Sequence, residues 1–94
     1  MFSVHVGETG QVRLTGRLDA AEAEKAKSVL DSLEGPITID CSELDYISSA
    51  GIGILIETYK RLNGAGHALR LVRLLPRVRN VFAYAGLDRI LTIE

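Results

Sequence analysis

The chain reads as a single α/β domain with a mixed, mostly parallel sheet, and three observations point there. Short β-branched runs alternate with stretches of helical periodicity, which implies crossover connections between parallel strands. The first two strand-like runs are separated only by a turn, so they pair antiparallel. The length of 94 residues, 47% hydrophobic and 24% charged, fits one globular unit spanning residues 1–94. The predicted order is β-β-α-β-α-β-α-β, with four or five strands and three or more helices.

Val4-His5-Val6 and Val12-Arg13-Leu14-Thr15 alternate around the turn-forming Gly7-Glu8-Thr9-Gly10 and form the hairpin. Ala23, Ala26, Val29, Leu30 and Leu33 then recur at helical spacing. Asp19 is placed to cap that helix, and Glu22 to reach back to it. Glu34-Gly35-Pro36 ends it. Ile37–Cys41 is the next strand, followed by the polar segment Ser42–Tyr46. A second helix runs from about Ser49 to Leu62, with Ile52, Leu55, Ile56, Tyr59 and Leu62 as its core stripe. Asn63-Gly64-Ala65-Gly66 stops it. Ala68–Val72 is a strand. Pro76 opens a third helix that buries Val78, Val81, Phe82 and Ala85, and Gly86 closes it. Ile90–Ile93 is the last strand.

Several functions are excluded or disfavoured. One cysteine, Cys41, forms no internal disulfide, and no cluster exists to hold a metal. No catalytic residue and no cofactor is expected. The turn Ile47-Ser48-Ser49-Ala50-Gly51 lacks the first glycine of a hydrolase elbow. Gly51-Ile52-Gly53 has Ile56 where a dinucleotide fingerprint needs its third glycine, and no Walker motif occurs. Aromatic residues are 5% with no Trp, which argues against a base-stacking surface, so no direct nucleic-acid contact is expected. The opening decapeptide lacks a signal-peptide pattern, and no stretch approaches ~18 apolar residues. The chain is read as cytoplasmic and monomeric, with no membrane span.

Net charge is −1, but it is unevenly placed. Residues 1–57 carry 4 basic and 10 acidic side chains; residues 58–94 carry 7 and 2. Such a distribution orients a partner or is simply solvated. Arg70, Arg73, Arg77 and Arg79 form a basic run that suits solvent, a phosphate or an acidic partner.

The informative segment is D-C-S-E-L-D-Y-I-S-S-A-G-I-G, from Asp40 to Gly53. It sets two serines at the first turn of a helix, where free N–H groups and the helix dipole favour an anion. Small neighbours leave a kinase room to approach. Either Ser48 or Ser49 fits a regulatory phosphorylation site by spacing; an N-cap with close packing on the sheet is the structural alternative. Ile54 falls away from the helix stripe, on a face shared with Ala50 and Glu57, where it reads as a contact point for a partner or as a single exposed apolar residue.

This sequence resembles the STAS domain, in particular the bacterial anti-sigma factor antagonists. The hairpin, the Gly16-Arg17-Leu18-Asp19 turn, the strand ending at Asp40 and the Tyr46–Gly53 segment follow the family's order. The resemblance implies a partner-switching cycle. Ser49 matches the phosphorylated position, Asp19 an acidic residue that contacts the kinase, and Gly51 the glycine after the site. Ser48 stands where many members have Asp, and Ala50 where many have Ser. The implied partners are a serine kinase that is also the anti-sigma factor, of the histidine-kinase-like ATPase class, and a metal-dependent serine phosphatase. With Ile54 and Glu57 from the helical face described above, Asp19, Ser48, Ser49, Ala50 and Gly51 make up the expected contact residues. In a parallel sheet the turns holding Asp19 and Ser49 gather at one edge. The alternative is a non-phosphorylated STAS scaffold, a subunit of a larger signalling or lipid-transport assembly.

Overall fold

A computed structural model describes residues 1–94. Its elements run β1 (Phe2–Val6), β2 (Gln11–Leu18), α1 (Ala23–Asp31), β3 (Ile37–Ile47), α2 (Ser49–Gly64), β4 (Leu69–Val72), α3 (Pro76–Tyr84) and β5 (Thr92–Ile93). One 3-10 turn, Leu87–Arg89, precedes β5. The expected order is present, and the sheet has five strands.

The strands lie in space as they lie in the chain, β1-β2-β3-β4-β5. β1 is antiparallel to β2 and every other pair is parallel. Each crossover steps one strand in the same direction, so right-handed connections lay the helices on one face. The side chains agree. Val12, Leu14, Ile37, Ile39, Leu69 and Leu71 point to that face and are buried in one apolar cluster. Arg13, Thr38, Asp40 and Arg70, one residue out of phase, line the opposite, polar face. Ion pairs join its charges: Arg13 to Glu43 at 3.6 Å, Arg73 to Asp40 at 3.1 Å, and Arg70 to Glu94. Each is exposed enough to contribute only about 0–1 kcal/mol.

Two strands are longer than their sequence suggests. β2 continues through Gly16 to Leu18, so the expected Gly16–Asp19 turn begins only at Asp19. Gly16 has φ +87, and a Cβ there would lie 1.6 Å from the Met1 carbonyl oxygen. Glycine is needed inside the strand because β1 passes so close. β3 runs on through the polar segment to Ile47. Two bulges explain why: Arg13 pairs Asp40 but Thr15 pairs Glu43, and Gly16 pairs Leu44 but Arg17 pairs Tyr46. Each inserts one extra residue in β3, so its buried positions read Ile37, Ile39, Cys41, Leu44, Ile47. The period of two is lost while the strand continues. Asp40 stabilises the first bulge by accepting the Ser42 N–H at 2.9 Å.

Helix faces differ too. α2 buries Gly51, Ile54, Leu55, Thr58 and Leu62, leaving Ile52, Ile56 and Tyr59 half-buried. In α3 only Val78 and Phe82 are buried; Val81 and Ala85 are exposed. Near the C-terminus Ile90 is exposed and Leu91 buried, so the last strand shrinks to two residues.

Candidate functional site

The site grows from the ends of β2 and β3. Leu18 and Ile47 are register partners, and the Ser48 N–H donates to the Leu18 carbonyl at 2.9 Å. That bond extends the ladder by one step and sets Asp19 alongside Ser48. The two strand-to-helix turns therefore share one edge, as the topology predicts.

Ser48 then ends the strand and starts the helix. Its backbone is extended (φ −91, ψ 171), and its Oγ accepts the Gly51 N–H at 3.2 Å. Its carbonyl accepts the Ile52 N–H at 2.9 Å. This is an N-cap, and its hydroxyl oxygen is engaged in it. Ser49, the first helical residue, is exposed. The N–H groups of Ser49 and Ala50 bond to nothing within the fold, so the positive end of a 16-residue helix opens to solvent beside an unengaged hydroxyl.

Gly51 holds the helix against the sheet. A Cβ there would lie 2.8 Å from Leu18 Cγ, 2.9 Å from Ile47 Cγ1 and 3.0 Å from the Leu18 carbonyl. Gly51 is buried, so its contribution is positioning: it fixes how far Ser49 projects beyond the sheet.

Asp19 is half-buried, and its Oδ1 accepts the Glu22 N–H at 3.1 Å. It caps the turn ahead of α1, whereas the helix itself starts at Ala23 with Glu22 at the N-cap and no side-chain bond. The expected reciprocal box is absent because three residues of turn separate Asp19 from the first helical one. Ala50 and Glu57 are exposed.

Ile54 lies elsewhere than expected. It is 7% exposed and belongs to the apolar core, so its side chain offers no contact surface. Positions 52, 54, 55 and 56 are all aliphatic, which leaves the helical phase open. Gly51 and Thr58, neither counted as apolar, mark the packed side. Ser49 instead shares its face with Gly53 and Ile56, at i+4 and i+7.

The rim is fixed by two more contacts. The Arg17 guanidinium lies 4.2 Å from the centroid of Tyr46. Arg77 donates to the Asp45 carbonyl at 2.9 Å and to its carboxylate at 3.2 Å, tying α3 to the end of β3. Within the basic run, Arg70, Arg73 and Arg77 are thus taken up by Glu94, Asp40 and Asp45, which leaves Arg79 alone for any outside anion. Cys41 is buried, and burial pushes its thiol up to about 12, which makes it inert as a nucleophile. No three His, Cys, Asp or Glu side chains gather where they could hold a metal ion. No helix is long and apolar enough to cross a membrane.

Comparison with known proteins gives a consistent answer. The family described as "Mlab, STAS domain" matches residues 1–92. The putative anti-sigma factor antagonist BtrV of Bordetella bronchiseptica is 36% identical over 77 residues, covering 78% of this chain and 66% of that protein, just under two thirds. The anti-sigma-B factor antagonist of Listeria monocytogenes is 32% identical over 85 residues, covering 86% of this chain and 75% of that one. In fold, the chain superposes on the phosphorylated form of the Bacillus cell fate determinant SpoIIAA with a TM-score of 0.73. That alignment has 19% identity and covers 100% of this chain and 91% of the other.

Proposed function

This chain belongs to the STAS domain family, and from that premise we propose that it is an anti-sigma factor antagonist switched by phosphorylation of Ser49. It acts by binding, not by catalysis. Unmodified, it docks on a serine kinase of the histidine-kinase-like ATPase class that doubles as the anti-sigma factor, and so frees that protein's client. The kinase transfers phosphate from ATP to Ser49 and the complex separates. A metal-dependent serine phosphatase restores the docking form.

The observation that carries this reading is the division of labour between the two serines. Ser48 Oγ is engaged as the helix cap while Ser49 is exposed. Ser49 therefore accepts phosphate without loss of a structural bond, and the helix end stabilises the added charge by about 0.3–1 kcal/mol. Ser48 is the positioning residue. The phosphate adds about −1.5 to −2 charges. One new like-charge contact at ~4 Å across an interface costs roughly 4 kcal/mol at an effective dielectric of 20, about 10³ in affinity. Asp19 and Ala50 lie beside the serines and Glu57 further along α2; these three complete the contact surface.

The test titrates purified histidine-kinase-like ATPase domains from the source organism against wild type, Ser49→Ala and Ser49→Asp. One domain should bind wild type and Ser49→Ala with similar affinity and lose Ser49→Asp. Mass spectrometry after incubation with ATP should place phosphate on Ser49. Phosphate on Ser48 alone, or equal binding of both variants, contradicts the proposal.

A further inference from the structure

The sheet ends in β1 on one side and β5 on the other, and the two edges differ. β5 is two residues long, too short to template another strand. β1 is five residues long, pairs with β2 without a bulge, and carries no Pro, Lys, Arg, Asp or Glu. The devices that usually blunt an edge are missing from the strand itself.

Its hydrogen bonds show which groups are free. The Arg17 N–H donates to the Met1 carbonyl at 3.1 Å, and the Gly7 N–H to the Gln11 carbonyl at 2.7 Å. With Phe2 opposite Gly16 and Val6 opposite Val12, the bonds to β2 fall on odd residues, Ser3 and His5 among them. The N–H and C=O groups of Phe2, Val4 and Val6 therefore point away from the sheet. One contact agrees with that direction: Lys25 Nζ donates to the Phe2 carbonyl at 3.3 Å. It uses one of that oxygen's two lone pairs and leaves the other. On the helix side of the strand Phe2 is buried, Val4 half-buried and Val6 49% exposed.

We propose that β1 docks on β1 of a second copy, antiparallel, about a twofold axis at Val4. One register suits the strand best. With Val4 opposite Val4 and Phe2 opposite Val6, every outward donor meets an outward acceptor, about six bonds in all. Ser3 then faces His5 of the other copy. A slip of two residues sets His5 against His5 or Ser3 against Ser3, and leaves one residue's outward groups unpaired on each chain. Because the strand holds no carboxylate, ammonium or guanidinium group, pairing with itself brings no such like charges together. The axis stands perpendicular to the sheet, so both sets of helices stay on one face and the two sheets join as one. A five-residue edge buries less than the ~1,200 Å² of a standard interface, so the pair exchanges and forms at high concentration. This departs from the monomer expected from the sequence. It does not rest on the Ser49 reading, which concerns α2 and the turn before it.

The experiment mixes equal amounts of Ser3→Cys and His5→Cys chains at about 1 mM with oxidised glutathione. Disulfide-linked dimer is followed on a non-reducing gel, with thermal melting of each variant. Opposed residues of a non-hydrogen-bonded pair have Cα atoms about 4.5 Å apart, within disulfide reach; two copies of the same position, offset by two residues, are not. Cys41 is buried with its thiol pushed up to about 12, so it stays out of the exchange. The mixture should cross-link about tenfold faster than either variant alone. Val6→Pro in both chains removes an outward donor that β2 does not use, and should slow the mixed cross-link about tenfold. Folded chains that cross-link equally fast alone and mixed overturn the inference. So does a folded Val6→Pro pair that cross-links as fast as its parent.

Discussion

Gly51 and Gly53 are separated by one residue in one helix, and they serve opposite sides of it. The inner side of α2 carries Gly51, Ile54, Leu55, Thr58 and Leu62, all buried. The outer side carries Ser49, Gly53 and Ile56, all exposed or half-buried. On the inner side the residues answer to internal neighbours: Gly51 to Leu18 and Ile47 of the sheet, and Thr58 to its own helix, its hydroxyl donating to the Ile54 carbonyl at 2.9 Å. On the outer side Ser49 makes no side-chain bond and Gly53 meets no neighbour, while Ile56 packs only partly on the core. The inner side fixes where the helix starts, and the outer side is free to be modified and covered. Substitutions should therefore split into those that change stability and those that change binding.

The sharpest way to break this division is Ile54→Ala. If Ile54 is a core residue, the change should cost about 2–5 kcal/mol and lower the melting temperature accordingly. A loss near zero would return Ile54 to the surface and undo the assignment of the two sides. Gly51→Ala comes next. It forces a methyl against Leu18 and Ile47, at a cost of about 1–3 kcal/mol, whereas Gly53→Ala should gain about 1 kcal/mol. For a chain of this size each kcal/mol moves the midpoint by about 4–8 °C, so calorimetric melting separates the two glycines by sign.

Much of this was legible in the sequence, and the rest was hidden for definite reasons. The element order, the hairpin, the Ser48–Ser49 helix start and the shared edge of the two turns follow from alternation, turn residues and capping chemistry. The end of β3 was not legible because two bulges break its alternation at Ser42 and Asp45. The inner side of α2 was misphased because four of the five residues 52–56 are aliphatic, while Gly51 and Thr58 carry the packing without looking apolar. Val81 and Ala85 continue the apolar spacing of α3, yet only Val78 and Phe82 are buried.

Smaller effects sharpen the contrast between the two serines. Ser48→Ala should cost about 1 kcal/mol through loss of the cap, Ser48→Asp should retain it, and Ser49→Ala should leave the melting temperature unchanged. An equal loss at both positions would show that Ser49 also has a structural bond. Away from the helix, burial tends to raise the Asp40 carboxyl, but bonds from Ser42 and the Arg73 and Arg13 guanidinium groups hold it below the usual carboxylate range. A lowered folded-state value means its contribution is present above the unfolded value near 4 and is lost as pH falls through the folded one. Denaturant midpoints of wild type and Asp40→Asn should therefore differ at pH 7 and converge in strong acid.

The most direct measurement uses protein carrying phosphoserine at position 49, installed chemically or by codon reassignment so that no kinase is assumed. Its affinity for the ATPase domain is compared with that of the unmodified chain, alongside the melting temperatures of both. Unchanged stability with affinity weakened by about 10³ is the predicted result. Equal affinities, or a phosphorylated chain that no longer folds, would contradict a switch built on one exposed hydroxyl.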